Sequence, residues 1–316
     1  MDNVSVLTFF ILSGLNYTAQ HRTILFVLTL LYYSLIWIVN AVLIVTIIVD
    51  RKLHEPMYIF LCNLCVNALY GTTGFYPKFL MDLLSTTHVI SYTECFLQSF
   101  VIYSSAGGDL SILAVMAYDR YVALCKPLMY HSVMTRQRIF MLVALSWLLP
   151  LYCMFINTIT IFQSKLCGSH IPKLYCANSL ISRLACSTSI VNNSIVYFNI
   201  AFYCGHFILI IWSYMYLIRT CLKSKEGRSK FMQTCVPHLI SLLNFGFAVL
   251  FDLMYSRFGS STLSQSLQNF MAIEFLLIPP VMNPLIYGLN LTKIRKRILG
   301  FSRAKRKLSD KVDRSR

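Results

Sequence analysis

The chain has 316 residues, of which 57% are hydrophobic and only 13% are charged. A soluble domain is typically about 45–50% apolar and about 25% charged, so this composition excludes an ordinary cytosolic enzyme. The formal net charge of +16 would suit a nucleic-acid-binding protein, but 11 of the 28 Lys and Arg residues lie between Lys293 and Arg316, and most others flank apolar blocks. That distribution is typical of the cytoplasmic face of a membrane protein, which predicts contact with membrane lipids and none with nucleic acid.

Seven apolar blocks are long enough to cross a bilayer, which takes about 20 mostly apolar helical residues. In chain order they are Thr23–Val49, Met57–Leu84, Cys95–Cys125, Ile139–Phe162, Val191–Leu222, Phe231–Tyr255 and Leu267–Leu289. We therefore predict an all-α integral membrane protein, a bundle of seven transmembrane helices. Residues 1–22 are predicted as an N-terminal segment, 23–290 as the bundle, and 291–316 as a short amphipathic helix with a basic tail.

The basic residues also predict the orientation of the bundle. Of the 28 Lys and Arg residues, 22 fall on the side that holds the C-terminus. Because cytoplasmic loops carry an excess of such residues, we expect the C-terminus inside and the N-terminus outside. No basic region precedes the first apolar residues, so the first span is predicted to serve as an uncleaved targeting signal. Glycosylation sequons make Asn3 and Asn16 candidate glycan sites on the outer side.

Four of the eleven cysteines fall on the outer side of the predicted bundle. Cys95 begins the third span, and Cys167, Cys176 and Cys186 lie in the loop before the fifth. An even number of cysteines in an oxidising space favours two disulfide bonds, and the residues alone leave three pairings open. In each of the three pairings, the bond that includes Cys95 would hold this long loop over the mouth of the bundle.

Polar side chains inside the spans are costly in hydrocarbon unless they find partners. Asn67, Asp109 and Asn283 fall at similar depths on three spans, which predicts a shared hydrated cluster able to hold a cation or a proton. No metal-ligand motif accompanies them, and no cofactor is predicted. At the inner end of the third span, Asp119 beside Arg120 forms a candidate ion pair that restrains Arg120 in one state. The alternative is an arginine that snorkels toward a local counter-charge.

Several motifs in order relate this chain to a known family. They are Phe10-Ile11-Leu12-Ser13-Gly14-Leu15, Pro56-Met57-Tyr58-Ile59-Phe60-Leu61, Met116–Cys125 with the following Lys126-Pro127-Leu128-Met129-Tyr130, Thr234-Cys235-Val236-Pro237-His238, and Pro280-Val281-Met282-Asn283-Pro284-Leu285-Ile286-Tyr287. With them the chain resembles the olfactory receptors of the rhodopsin-like G-protein-coupled receptor superfamily. The resemblance implies an odorant-sensing receptor in the plasma membrane of olfactory sensory neurons. Its partner would be a heterotrimeric G protein of the stimulatory olfactory type, which raises cyclic AMP.

The resemblance also implies roles for particular residues. Cys95 would pair with Cys176, and Cys167 with Cys186. The activation switch that meets the G protein would comprise Asp119, Arg120, Tyr121, Tyr214, His238, Asn283, Pro284 and Tyr287. Arg120 would contact the G protein once the sixth helix swings outward. Asn67 stands where the family usually has Asp, which weakens a cation site near Asp109 and resembles members from aquatic vertebrates.

Helical spacing predicts where a ligand binds in the outer half of the bundle. The candidate contacts are Ser99, Tyr103, Ala106 and Gly107 on the third span, Phe198, Asn199 and Phe202 on the fifth, and Val249, Leu253 and Arg257 on the sixth. If Arg257 faces this cleft, its guanidinium favours an acidic or zwitterionic odorant. The alternative for Arg257 is an ion pair with Asp252 or a solvated loop charge.

A seven-helix transporter or channel is the alternative function. A transporter is expected to show internal repeats with helices broken at corresponding positions, and the sequence shows neither. A channel is expected to line its pore with rings of charges or carbonyls, which the sequence does not indicate. The motifs H-E-x-x-H and G-x-S-x-G are missing as well, so an enzyme is not predicted.

Overall fold

The computed structural model describes residues 9–13, 19–187, 190–221, 236–258, 270, 273–290 and 297, with the backbone alone at 220, 221, 237, 238, 250, 252–258 and 287–290. The elements are strand β1 (Phe9–Leu12), helix α1 (Ala19–Val49), a 3-10 turn (Arg51–Leu53), α2 (Pro56–Leu84), β2 (Val89–Ser91), α3 (Tyr92–Cys125), a second 3-10 turn (Pro127–Met129), α4 (Tyr130–Val133), α5 (Arg136–Phe162), β3 (His170–Ile171), α6 (Asn178–Arg183), α7 (Ile190–Cys221), α8 (Val236–Phe258) and α9 (Pro279–Asn290). Residues 273–277 are also helical.

Four helices of the described chain are long and apolar enough to cross a membrane. They cover Gln20–Val49, Tyr92–Cys125, Arg136–Phe162 and Ile190–Arg219. Helix α2 has 29 residues and begins one residue before the second predicted span. These helices confirm the prediction of a helical membrane protein. The count of seven stays a prediction, because residues 222–235 and 259–269 lie outside the described chain.

Two of the membrane helices begin before the apolar blocks that predict them, because polar caps start them. Helix α3 begins at Tyr92: the Ser91 hydroxyl accepts the Glu94 N–H at 3.3 Å, and the Glu94 carboxylate accepts the Ser91 N–H at 3.2 Å. Helix α5 begins at Arg136, where the Thr135 hydroxyl accepts the Arg138 N–H at 3.3 Å. Hydropathy alone does not detect such first turns.

Helix α3 forms the centre of the bundle. It contacts α2, α5, α7 and α8, while α1 packs against α2 and α9. The outer helices turn apolar side chains away from this centre: Leu31, Leu148 and Trp212 are 63%, 63% and 68% exposed. An extended apolar surface of this kind suits the hydrocarbon of a bilayer.

A three-stranded sheet, which the all-α prediction does not include, is the only sheet among the described residues. β1 lies in the middle, antiparallel to β2 with Phe10 opposite Ile90, and parallel to β3 with Ile11 opposite His170. The side chains of Phe10, Ile90 and Ile171 are buried. Strands of two to four residues carry too little alternation to be predicted from sequence.

The segment after α9 falls almost wholly outside the described residues, as do the candidate glycan sites Asn3 and Asn16. Its one described member, Arg297, donates a hydrogen bond to the carboxylate of Asp50, which follows α1. That hydrogen bond holds the pKa of Asp50 below its usual range. The predicted amphipathic helix at residues 292–302 stays a prediction.

Candidate functional site

Two disulfide bonds, Cys95–Cys176 and Cys167–Cys186, fasten the loop between α5 and α7. The first bond ties the loop to the first turn of the central helix α3. Next to it, the side-chain oxygen of Gln98 accepts the backbone N–H of Cys176 at 2.9 Å. Of the three pairings that the residues leave open, this is the one that the family resemblance implies.

The loop between α5 and α7 packs into the bundle. Residues 175–177 are fully buried, and the Tyr175 ring lies 6.1 Å from the Phe75 ring and 6.5 Å from the Tyr103 ring. The loop then forms α6, whose first residue, Asn178, accepts a hydrogen bond of 2.6 Å from the Ser99 hydroxyl. Ser99, predicted as a ligand contact, therefore holds the loop in place.

A cavity of about 70 Å³ lies beneath this loop, lined by residues of α3, α5, α6, α7 and α8. Its lining consists of Tyr103, Ala106, Gly107, Leu110, Met154, Asn157, Asn178, Ser179, Val196, Asn199, Ile200, Tyr203 and Val249. Most of this surface is carbon, and none of the described lining residues is Lys, Arg, His, Asp or Glu. An apolar cleft with a few polar groups is typical of a small-molecule site.

Half of the predicted ligand contacts line this cavity, namely Tyr103, Ala106, Gly107, Asn199 and Val249. Phe198 and Phe202 do not. Phe198 points outward with 63% of its surface exposed, and the Phe202 ring stacks on it at 6.4 Å. The side chains of Leu253 and Arg257 lie outside the described part of the structure, so their contribution stays a prediction.

Sequence reasoning finds one of the four cavity residues of α7, Asn199, and misses the whole of α5. Helix α7 turns Val196, Asn199, Ile200 and Tyr203 to the cavity, whereas the predicted stripe is centred on its neighbours. The helix is apolar all round, so its periodicity does not distinguish the cavity face from the lipid face. A signal for α5 does exist, because Asn157 is a polar residue in an apolar span.

Gly107 lets α5 and α7 approach the central helix closely. A methyl group on Gly107 would lie 2.6 Å from the Tyr203 hydroxyl and 2.9 Å from the Cβ atom of Pro150. Both contacts are shorter than van der Waals packing allows. The missing side chain therefore makes room for the Tyr203 hydroxyl in the wall of the cavity.

Three polar atoms in the cavity wall are buried without a hydrogen-bond partner in the described structure. They are the Asn157 side-chain oxygen, the Asn199 side-chain nitrogen and the Tyr203 hydroxyl. The asparagines are only 6% and 7% exposed. Buried polar groups in proteins are nearly always paired with protein or water, so these three residues of the cavity lining still have hydrogen-bonding capacity to offer.

Two members of the polar cluster predicted in the middle of the bundle are hydrogen-bonded to each other. The Asn67 side-chain nitrogen donates to the Asp109 carboxylate at 2.7 Å and to the Ser105 carbonyl at 2.8 Å. Asn283 instead accepts a hydrogen bond from the Ser241 hydroxyl of α8. Within the described chain, no group of three or more His, Cys, Asp or Glu residues is arranged to hold a metal ion. Cation binding at Asp109 stays a prediction.

At the other end of α3, Asp119 pairs with a residue of the following connection. Asp119 is 1% exposed, and its carboxylate accepts a hydrogen bond of 2.8 Å from the Tyr130 hydroxyl. Burial and the adjacent carboxylate both raise the pKa of Tyr130, so its hydroxyl stays protonated and donates.

The predicted ion pair between Asp119 and Arg120 does not form among the described residues. Successive residues on a helix point in different directions, so the two side chains do not face each other. The Arg120 Nε atom is buried and has no hydrogen-bond partner within the described chain. The hydrogen bond to the Asp119 carboxylate is thus made by Tyr130 and not by the Arg120 guanidinium.

The remaining switch residues are partly described. The Tyr121 ring contacts the Tyr216 ring of α7 at 5.5 Å, Tyr214 is 2% exposed, and Pro284 lies inside α9. The side chains of His238 and Tyr287 fall outside the described set. Their predicted parts in the switch are neither supported nor contradicted.

Comparisons with known proteins find similarity over nearly the whole chain. A family model described as olfactory receptor matches residues 28–305. Olfactory receptor 5F1 of Homo sapiens is 32% identical over 311 residues, which is 96% of this chain and 97% of that protein. Olfactory receptor 10G4 of Homo sapiens is 32% identical, covering 99% and 98% of the two chains. Olfactory receptor 5AR1 of Mus musculus is 33% identical, covering 95% and 98%.

Proposed function

Because this chain belongs to the olfactory receptor family, we propose that it binds a small-molecule odorant in the cavity beneath the α5–α7 loop and then activates a heterotrimeric G protein. The G protein is of the stimulatory olfactory type and raises cyclic AMP. As a member of this family, the chain is a multi-pass membrane receptor with an odorant-sensing role, and it is not an enzyme. The proposed location is the plasma membrane of olfactory sensory neurons.

The cavity is the observation that carries the proposal. It is apolar, it lies beneath a loop tied down by a disulfide bond, and it holds unpaired polar atoms that suit a guest molecule. A transporter would need a path from this space to both sides of the membrane. A receptor needs only a site whose occupancy favours one conformation of the bundle over another.

Two helices connect the cavity to the proposed G-protein surface. Helix α3 supplies Tyr103 and Gly107 to the cavity and carries Arg120 near its other end. Helix α8 supplies Val249, packs on α3, and bonds to α9 through Ser241. The contacts of a ligand that touches both helices change when α8 moves relative to α3. The ligand therefore binds one arrangement of the two helices more tightly than the other, and its binding shifts the equilibrium between them.

The proposed topology has seven spanning helices, the N-terminus outside and the C-terminus inside. The basic residues favour this orientation, and the two disulfide bonds at the cavity end suit an oxidising exterior. Candidate glycans at Asn3 and Asn16 agree with it.

The test is cyclic-AMP output in cells that express the full chain with a stimulatory olfactory-type G protein, exposed to a broad odorant panel. We expect at least one odorant to raise cyclic AMP, and the rise to disappear when the G protein is omitted. Ion or solute flux measured in the same cells distinguishes the alternative. Odorant-dependent flux that persists without the G protein would favour a channel or transporter.

Tyr130→Phe is expected to lower the maximal cyclic-AMP response about tenfold while ligand binding stays unchanged. Removal of the hydroxyl frees the Asp119 carboxylate to turn toward the Arg120 guanidinium. A hydrogen bond to a charged group contributes about 1.5–3 kcal/mol, which corresponds to a population shift of about tenfold or more. Maximal cyclic AMP at matched surface expression is the measurement.

The matched control is Tyr118→Phe, which removes a phenol hydroxyl from a partly exposed residue one position before Asp119. It should respond as the unmodified receptor does. A Tyr130→Phe receptor with an unreduced maximal response would show that the Asp119–Tyr130 contact has no part in signalling.

A further inference from the structure

We propose that the ligand of the cavity is a small neutral alcohol, a compact apolar body with one hydroxyl group. This inference rests on the proposed function in treating the cavity as the odorant site, and it adds the chemical class of the ligand. Three features of the cavity carry it: its unpaired polar atoms, its lack of charge among the described residues, and its volume.

The unpaired atoms require a guest that both donates and accepts hydrogen bonds. The Asn157 oxygen only accepts, the Asn199 nitrogen only donates, and the Tyr203 hydroxyl does either. A ligand hydroxyl donates to the first and accepts from the second. A ketone only accepts and leaves the Asn157 oxygen unpaired, and a hydrocarbon satisfies none of the three. Because an unpaired buried group keeps its full desolvation cost, the alcohol is favoured over both.

Asn178, the third asparagine of the lining, is already engaged. The Asn178 oxygen accepts from Ser99, and the Asn178 nitrogen faces the Thr158 hydroxyl at 3.5 Å. The polar end of the ligand is therefore directed to the α5–α7 side, at Asn157 and Asn199. Its carbon body faces the apolar side chains of α3 and α8.

Charge is excluded by the described lining. A carboxylate or an ammonium group in the cavity would be buried with no counter-ion among the lining residues, which costs more than neutral hydrogen bonds return. This differs from the acidic odorant predicted from Arg257, whose side chain lies outside the described structure. The experiment below therefore includes carboxylates, so that an acidic ligand would be detected.

The volume limits the size of the ligand. The cavity measures about 70 Å³, roughly half of an engineered cavity of about 150 Å³ that holds benzene. Met154 in the wall has a flexible side chain that adapts to a guest. A ligand on the order of four to six non-hydrogen atoms fits these limits.

The experiment compares three- to five-carbon alcohols with the ketone, hydrocarbon and carboxylate of the same carbon skeleton. Binding is measured as thermal stabilisation of the purified full-length receptor, and signalling as cyclic AMP. We expect each alcohol that binds to act at concentrations about tenfold lower than its matched compounds.

Asn157→Leu and Asn199→Leu should each remove that preference, and Tyr203→Phe, which keeps the ring, should weaken it. Tyr152→Leu is the control, since Tyr152 lies on α5 but is 65% exposed on its outer side.

The outcomes separate the ligand class from the receptor function. Equal potency of alcohol and ketone, or a preference that survives in all three cavity variants, overturns the inference. A carboxylate as the strongest ligand does so too and would favour Arg257. If no alcohol stabilises the receptor, the cavity holds only water, which also overturns it. Stabilisation by alcohols without any cyclic-AMP response overturns the proposed coupling and leaves the ligand class standing.

Discussion

Replacing Cys95 or Cys176 with alanine is expected to abolish delivery of the receptor to the cell surface. The bond between them closes a loop with a sequence separation of 81 residues. Loss of a native disulfide typically costs about 2–5 kcal/mol, a large part of the about 5–15 kcal/mol by which proteins are stable. The Gln98 contact and the burial of Tyr175 both depend on the position of this loop.

Surface staining of an epitope-tagged receptor in intact cells, divided by total expression, measures this effect. Cys204→Ala is the matched control, because Cys204 is a free, partly buried thiol on α7. It should reach the surface at the unmodified level. Surface levels and ligand responses that stay normal in Cys95→Ala or Cys176→Ala would show that the bond is dispensable.

Arg120→Ala is expected to eliminate G-protein activation and leave ligand binding intact. The Arg120 Nε atom is buried without a hydrogen-bond partner in the described chain, so it still has a donor to offer to a partner protein. Arg120 lies at the far end of α3 from the cavity residues Tyr103 and Gly107, so ligand contacts are untouched. The prediction is a loss of about 100-fold or more in cyclic-AMP response, as for removal of a buried charged contact of about 3 kcal/mol.

Ligand-dependent thermal stabilisation measures binding in the same variant and should be unchanged. Arg138→Ala is the control: Arg138 lies in the first turn of α5 and is exposed, and its side chain donates only to a backbone carbonyl. It should keep most of the response. Full cyclic-AMP output from a well-expressed Arg120→Ala receptor would contradict the proposed switch.

The membrane helices are easier to predict from sequence than the side of each helix that faces the cavity. The blocks that become α1, α3, α5 and α7 are long and mostly apolar, which is enough to identify them. On α3 the small and polar residues mark the inner face, and Tyr103, Ala106 and Gly107 are found in the cavity as predicted. On α7, both Phe198 and Val196 are compatible with lipid, so the sequence does not show which of them faces the cavity. The predicted stripe therefore includes Phe198, which points outward.

Contacts between residues that are distant in the sequence cannot be predicted from the local pattern of apolar and polar residues. Asn157 and Asn199 lie on different helices, and nothing in their local sequence states that both face one space. The Asp119–Tyr130 bond displaces the expected ion pair because the chain turns back after α3, through a 3-10 turn and α4. The disulfide pairing could be named only through the family, since four cysteines permit three pairings.

The central position of β1 has a consequence for the order of synthesis. Among the described elements β1 comes first in the chain, but its two neighbours follow α2 and α5, respectively. The ribosome must therefore complete most of the bundle before β3 exists, and until then β1 has an open edge. The sheet can close only after α1 to α5 have been synthesised.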